Sequence, residues 1–187
     1  MKKVIIAITG ASGVVYGIKL VEELSKRFKV YLVLTDRAEI VAKYEGVYEK
    51  LNELKNNVKT KTYREHDIDS SIASSSFNHD AMVISPCSMK TLAGIASGYS
   101  ENLVLRVAEN TLKLKKPLIL VIRETPLNTI HILNMLKVSI AGGIILPASP
   151  AFYHKPKSVD DMVSFIVGKV LDILGVQHNL YKKWETY

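Results

Sequence analysis

The chain has 187 residues, enough for one domain with a full three-layer core, and carries 25 Lys and Arg against 18 Asp and Glu, a formal net charge of +7. The cations are spread along the chain and no zinc or RNA-recognition motif accompanies them. The excess therefore reads as solvated surface plus a few positions kept for anionic small molecules, not as a nucleic-acid face.

No apolar run reaches the roughly 18 residues of a membrane span. Met1-Lys2-Lys3 followed by Val4 to Ile8 has the outline of a signal peptide, but Gly10 and the polar Thr9 and Ser12 break the apolar stretch early, so a first strand is expected. The single cysteine, Cys87, excludes an intrachain disulfide and suits a reducing cytoplasm. Hydrophobic residues make up 48% and mean hydropathy is +0.12, which favours buried interfaces between subunits. The five histidines, at 66, 79, 131, 154 and 178, show no paired metal-ligand spacing, and no metal centre is expected.

Val4 to Ile8 reads as the first strand. Thr9-Gly10-Ala11-Ser12-Gly13 follows, then a helix with Val14, Ile18, Val21 and Leu24 on one face. Lys29 to Leu34 completes a βαβ unit of about 30 residues, hence a parallel sheet. Residues 37 to 56 read as one charged helix ended by Asn56-Asn57, Lys59 to Tyr63 as a short strand, and 65 to 79 as a polar loop or short helix.

Ala81 to Ile84 is apolar, and Pro86 is expected to stop that strand because it has no N–H to donate. Ser88 then caps a helix bearing Leu92, Ile95 and Ala96. Ser100 is the expected cap of a helix to about Lys115 with Leu103, Val107 and Leu114 inward. Leu118 to Ile122 is a buried strand. Thr125 with Pro126 is expected to open the next helix, to about Ser139, and Ile144 to Leu146 is the last strand. Pro147, Pro150 and Pro156 enclose a loop holding Phe152-Tyr153-His154. Ser158 with Asp161 forms a capping box for a final helix, with Met162, Val163, Ile166, Val170 and Leu174 on its buried face, which Gly175 ends. The basic, aromatic tail from about 176 has no core pattern of its own.

This alternation gives one doubly wound α/β domain over residues 1–187, with polar clusters where strands end: 9–13, 35–36, 85–91, 123–125 and 147–156. Ligands bind at that edge of an open α/β sheet, and helix N-termini there favour anions. Gly10, Gly13 and Gly17 are spaced GxxGxxxG, which misses the dinucleotide fingerprint. A dehydrogenase reading would take Asp36 as ribose ligand and Tyr153 with Lys157 as a Tyr-xxx-Lys pair, but Pro156 breaks the helix such a pair needs.

Together the clusters resemble the UbiX-type flavin prenyltransferases, formerly described as aromatic-acid decarboxylases. The resemblance spans nearly the whole chain. It rests on Thr9-Gly-Ala-Ser-Gly13, Met82 to Ala93, Glu101-Asn-Leu-Val-Leu-Arg106 with Leu112-Lys113, Arg123-Glu-Thr-Pro-Leu127, Pro150-Ala-Phe-Tyr153 and Trp184.

The resemblance implies a flavodoxin-like three-layer fold, a homododecamer and no metal. The implied activity joins a dimethylallyl group from dimethylallyl monophosphate to N5 and C6 of reduced FMN, giving the prenylated cofactor of a partner decarboxylase. It further implies that Gly10, Ala11, Ser12, Thr35, Ser88, Met89, Lys90, Thr91 and Arg123 meet FMN, with Arg106 from the same or a neighbouring subunit. Lys113, Arg123, Glu124, Tyr153 and Lys169 would surround the dimethylallyl phosphate, and Trp184 would cover its prenyl chain. Glu124 and Ser12 are the implied catalytic residues, and Glu45 is the candidate for a second family carboxylate.

Each residue has a plainer reading. Arg123 and Glu124 would form a surface ion pair, Tyr153 would pack under the proline loop, Trp184 would anchor an interface, and Arg106 and Lys113 would be solvated. Three positions depart from the family pattern. Thr35 replaces the usual serine, Ser74-Ser75-Ser76 replaces Ser-Gly-Ser, and Lys169 replaces arginine, which keeps the charge but loses bidentate phosphate contact. Two other readings remain. An FMN-dependent cysteine-type decarboxylase would need a histidine after the first helices and an Asn-rich motif, neither of which is found. A non-catalytic FMN carrier would have no use for the second phosphate pocket implied by Arg123, Glu124 and Tyr153.

Overall fold

The computed structural model describes residues 2–55 and 60–184. Its strands are β1 (Lys3–Ile8), β2 (Lys29–Leu34), β3 (Thr60–Arg64), β4 (Ala81–Cys87), β5 (Leu118–Ile122) and β6 (Ile144–Pro147). They form one sheet in the order β3-β2-β1-β4-β5-β6 with every pairing parallel. The helices are α1 (Val14–Ser25), α2 (Asp36–Tyr44), α3 (Tyr48–Lys55), α4 (Met89–Ala96), α5 (Leu103–Lys113), α6 (Thr129–Ile140) and α7 (Val159–Ile173).

A parallel sheet covered on both faces needs strands that are apolar at every position, and β1, β2, β4 and β5 read that way. Successive side chains point to opposite faces. Val4, Ile6 and Ile8 join the core under α1, α2, α3 and α7, whereas Ile5 and Ala7 join the core under α4, α5 and α6. The result is the expected flavodoxin-like, doubly wound three-layer sandwich. The α1 face of Val14, Ile18, Val21 and Leu24 is buried, as is most of the expected α7 face. Ser88 caps α4, and Ser158 with Asp161 forms the capping box of α7. No helix among the described residues is long and apolar enough to cross a membrane.

Four expectations are corrected. The helix over 37–56 is two helices, because Gly46 takes φ +68 and ends α2 where an L side chain would be strained. The strand before Pro86 continues to Cys87, since a register shift between Ile84 and Cys87 removes the proline from the ladder. Asn102, not Ser100, caps α5, its Oδ1 accepting the Leu105 N–H at 3.0 Å; Leu114, past the last turn, faces solvent. Asn128, not Thr125, caps α6, and the Thr125 hydroxyl instead donates to the Glu124 carbonyl at 2.8 Å. The tail, without a core pattern of its own, packs on the core through Val176, Leu180 and Tyr181. Asn56, Asn57 and Lys59 lie outside the described residues.

Candidate active site

The sheet changes winding direction between β1 and β4, and this is where an open α/β sheet offers a crevice. Thr9, buried at the end of β1, locks the two loops together there. Its N–H and Oγ1 both donate to the Pro86 carbonyl, at 3.2 and 2.8 Å, and Oγ1 accepts from the Ser88 N–H at 2.9 Å.

Beside this lock is a cleft of about 370 Å³ lined by Thr9, Gly10, Thr35, Arg37, Ser88 and Lys90 among others. Three helices open on it. Thr35 caps α2 by accepting from Ala38 N–H at 3.2 Å, Ser88 caps α4 by accepting from Thr91 N–H at 3.3 Å, and Asn102 caps α5. Glu65 ties two of these ends together, its Oε1 accepting the Asp36 N–H and its Oε2 the Asn102 side-chain amide. Helix N-termini carry partial positive charge and free N–H groups, so their convergence beside Arg37 and Lys90 makes an anion seat. Gly10 keeps it open: a Cβ there would lie 2.5 Å from Cβ of Arg37.

The N-terminus of α1 is differently used. The Glu45 carboxylate accepts from Gly13 and Val14 N–H at 2.6 and 3.0 Å, so these two donors of the glycine loop are taken by the protein itself. Tyr16, one turn further on, has its phenol pushed up by burial, lowered by the charge of Arg123 and raised by that of Glu45, so all three share one neighbourhood.

Arg123 follows Ile122, which pairs with Cys87, and therefore emerges beside Ser88. Its Nε is buried with no hydrogen-bond partner among the described residues. Glu124 is exposed, and its Oε1 accepts from the Thr125 N–H at 3.0 Å, which is neither the expected helix mouth nor an ion pair with Arg123.

A second group lies around α7 and the tail. Trp184 meets Tyr153 edge-on at 5.3 Å, Tyr153 meets Phe165 at 5.9 Å, and the Lys169 ammonium stands over the Phe165 and Tyr181 rings at 5.3 and 5.0 Å. Hydrogen bonding to the Tyr181 hydroxyl, opposed by burial, holds Lys169 above its ordinary range. Arg106 and Lys113 belong to neither group. Both are exposed on α5; Arg106 contacts Glu109 at 3.4 Å, and Lys113 borders a separate pocket of about 250 Å³ with Tyr99 and Leu112.

One trio of possible metal ligands, Asp36, Glu65 and His66, is present among the described residues. Its groups already have partners: Glu65 makes the two bonds above, while Asp36 contacts Arg64 at 3.6 Å and His66 at 3.1 Å.

The family model described as Flavoprotein matches residues 1–171. The flavin prenyltransferase UbiX of Aquifex aeolicus is 47% identical over 187 residues, covering 98% of this chain and 99% of that protein. The chain belongs to the flavin prenyltransferase family. Among solved structures, AnUbiX (PadA1) in complex with FMN and dimethylallyl pyrophosphate superposes with a TM-score of 0.93 at 37% identity, over 100% of this chain and 98% of that one. The dodecameric FMN-dependent UbiX-like decarboxylase of Escherichia coli O157:H7 superposes at 0.92 and 38%, over 98% and 100%.

In this flavin prenyltransferase the fold gathers Gly10, Thr35, Ser88, Lys90 and Thr91 at the cleft and Tyr153, Lys169 and Trp184 at the aromatic group. Ala11 and Ser12 follow Gly10 in the glycine loop, and Met89 opens α4 next to Ser88. Residue patterns gave no sign of Tyr16, Arg37 or Glu65, and Asn102 entered only within a quoted motif. Asn102 was findable as a cap residue three positions before Leu105; the others matter only through contacts distant in sequence.

Proposed function

We propose that the protein transfers a dimethylallyl group from dimethylallyl monophosphate to N5 and C6 of reduced FMN, and that the prenylated flavin serves a prenylated-FMN-dependent decarboxylase. The observation that carries this is Arg123. An unpaired buried N–H costs about 1–3 kcal/mol, so a guanidinium left with a buried free Nε beside Ser88 is built to meet an anionic oxygen. Following the strand that pairs beside Ser88, and close enough to Tyr16 for its charge to be felt there, it is assigned both the flavin and the second phosphate. A carrier of FMN alone would have no need of this.

The cleft residues Gly10, Ala11, Ser12, Thr35, Ser88, Met89, Lys90 and Thr91, with Arg106 and Arg123, hold FMN. Its phosphate is seated by the α2 and α4 N-termini. Reduced FMN supplies the nucleophilic N5 and C6. Lys113, Arg123 and Lys169 neutralise the phosphate released when the allylic C–O bond breaks, the work a divalent metal does for diphosphates. The faces of Tyr153 and Trp184 stabilise the electron-deficient allyl carbon. Ring closure takes one proton onto the remaining alkene, which makes its tertiary carbon the electrophile for C6, and releases the proton that C6 carried; the departing phosphate or Glu124 passes these protons, with Ser12 placed at the mouth of the glycine loop.

The protein works as a homo-oligomer, a dodecamer like its E. coli neighbour. Helix α6 supports this, for Ile130 (67% exposed), Leu133, Leu136 and Ile140 (78%) leave an apolar row uncovered in one chain. Arg106 and Lys113, exposed on α5 and not among the residues lining the chain's own cleft, then complete a neighbour's site. We assign the protein to the cytoplasm, whose reducing conditions suit a single buried, unpaired cysteine.

The test is anaerobic incubation with reduced FMN and either dimethylallyl monophosphate or the pyrophosphate, followed by flavin mass analysis. A flavin heavier by one dimethylallyl group with the monophosphate is expected. An unmodified flavin with both donors overturns the assignment.

A further inference from the structure

The carboxylate of Asp172, near the end of α7, receives three groups from the tail. The Tyr181 hydroxyl donates to Oδ2, while Lys183 Nζ and His178 Nε2 reach Oδ1 at 3.0 and 3.2 Å. The Leu180 N–H donates to Nδ1 of His178 at 3.1 Å, so Nε2 carries the proton and is the donor to Asp172. Burial opposes ionisation of Asp172, but the bonds from Tyr181, Lys183 and His178 outweigh it and hold its carboxyl below the usual range.

Gly168, four residues earlier, provides the surface on which this knot lies. A Cβ there would stand 2.6 Å from the Tyr181 ring and 2.8 Å from His178, so the tail packs against bare helix backbone. Arg27 fixes the start of the tail by donating to the Gln177 carbonyl at 3.0 Å. Beyond the knot, Trp184 lies edge-on to Tyr153, and Tyr181 is also one of the two rings beneath the Lys169 ammonium.

We infer that Asp172 is a positioning residue for the prenyl donor: by latching Tyr181, His178 and Lys183 against Gly168, it sets Trp184 over Tyr153 and Lys169 over Tyr181 before the donor arrives. This rests on the reading that Tyr153, Lys169 and Trp184 receive the donor. A short, point-charged lysine here takes its direction from the ring beneath it. Pre-ordering these side chains removes the entropy that binding would otherwise have to supply.

Trp184 is the only tryptophan, so the latch can be read without activity. In Asp172→Asn, and independently in Gly168→Ala, the tryptophan anisotropy decay should gain a fast component. The KM for dimethylallyl monophosphate should rise on the order of tenfold, the scale of two or three side chains left to be ordered, while FMN affinity stays near wild type. Asp172→Glu, which keeps a carboxylate, should recover part of the KM. An unchanged anisotropy decay in both variants overturns the latch, even if wild type transfers no prenyl group and the functional reading itself fails. With wild type active, a loosened Trp184 and an unchanged KM overturn the positioning role.

Discussion

Glu45 and Gly13 are 32 residues apart in sequence, yet the Glu45 carboxylate accepts the Gly13 N–H at 2.6 Å and fills the mouth of α1. The mouth of α1 thus has its own anion. Removing the carboxylate exposes two first-turn donors. A lost helix cap costs about 0.5–2 kcal/mol, and about 1 kcal/mol shifts the midpoint of a domain this size by about 2–4 °C. Glu45→Ala should therefore lower the thermal midpoint by several degrees in calorimetry, with Glu45→Gln intermediate.

Glu124 is exposed and bonded to the Thr125 N–H, and the proposed reaction gives it a proton-transfer role at ring closure. General acid–base roles are worth about 10² to 10⁴ in rate. Glu124→Gln should keep FMN affinity and slow prenyl transfer by at least about 10². Full turnover in this variant would leave Glu124 no part in the chemistry.

The side-chain cations at 113, 123 and 169 are assigned the charge neutralisation that a divalent metal would otherwise perform. Prenyl transfer should accordingly proceed unchanged in EDTA. Activity lost to the chelator and restored by magnesium would contradict that assignment.

His79 is buried, with Nε2 2.9 Å from Thr111 Oγ1 and Nδ1 3.3 Å from the Phe77 carbonyl. Burial, helped by Lys116 and opposed by the Phe77 bond and Asp80, lowers its pKa from the ordinary 6.5. The unfolded chain then binds more protons than the folded one below about pH 6.5, so stability is full above that value and declines as pH falls towards the depressed folded value. Urea midpoints should drop between pH 7.5 and 5.5 in the wild type, and less steeply in His79→Gln.

The apolar row on α6 should be a subunit contact. Ile130→Glu combined with Leu133→Glu should yield smaller particles by light scattering. FMN affinity should fall with them, because Arg106 would no longer reach a neighbour's cleft. Wild-type-sized particles from the double variant would place the interface elsewhere.

Much of the fold was legible because its signals act over a few residues. Val14, Ile18, Val21 and Leu24 repeat at the helical period, Ser88 and Ser158 sit where orphan N–H groups need an acceptor, and the apolar runs of β1, β2, β4 and β5 suit strands covered on both faces. The same local rules misplaced the caps of α5 and α6, where two candidate residues stood within three positions and only the actual chain path selected between them.

The site was legible as a set of loops at strand ends, and its residue types by family resemblance. The grouping of those residues belongs to the tertiary structure. Nothing near Glu45 in sequence directs it to Gly13, nothing near Arg123 says that its Nε stays unpaired, and the tail's lack of periodicity hides its attachment to Asp172. These are contacts between elements whose meeting depends on how the whole sheet is wound and covered. A sequence determines such contacts through the sum of its packing, whereas a reading of neighbouring residues sees only the terms that act within a turn or two.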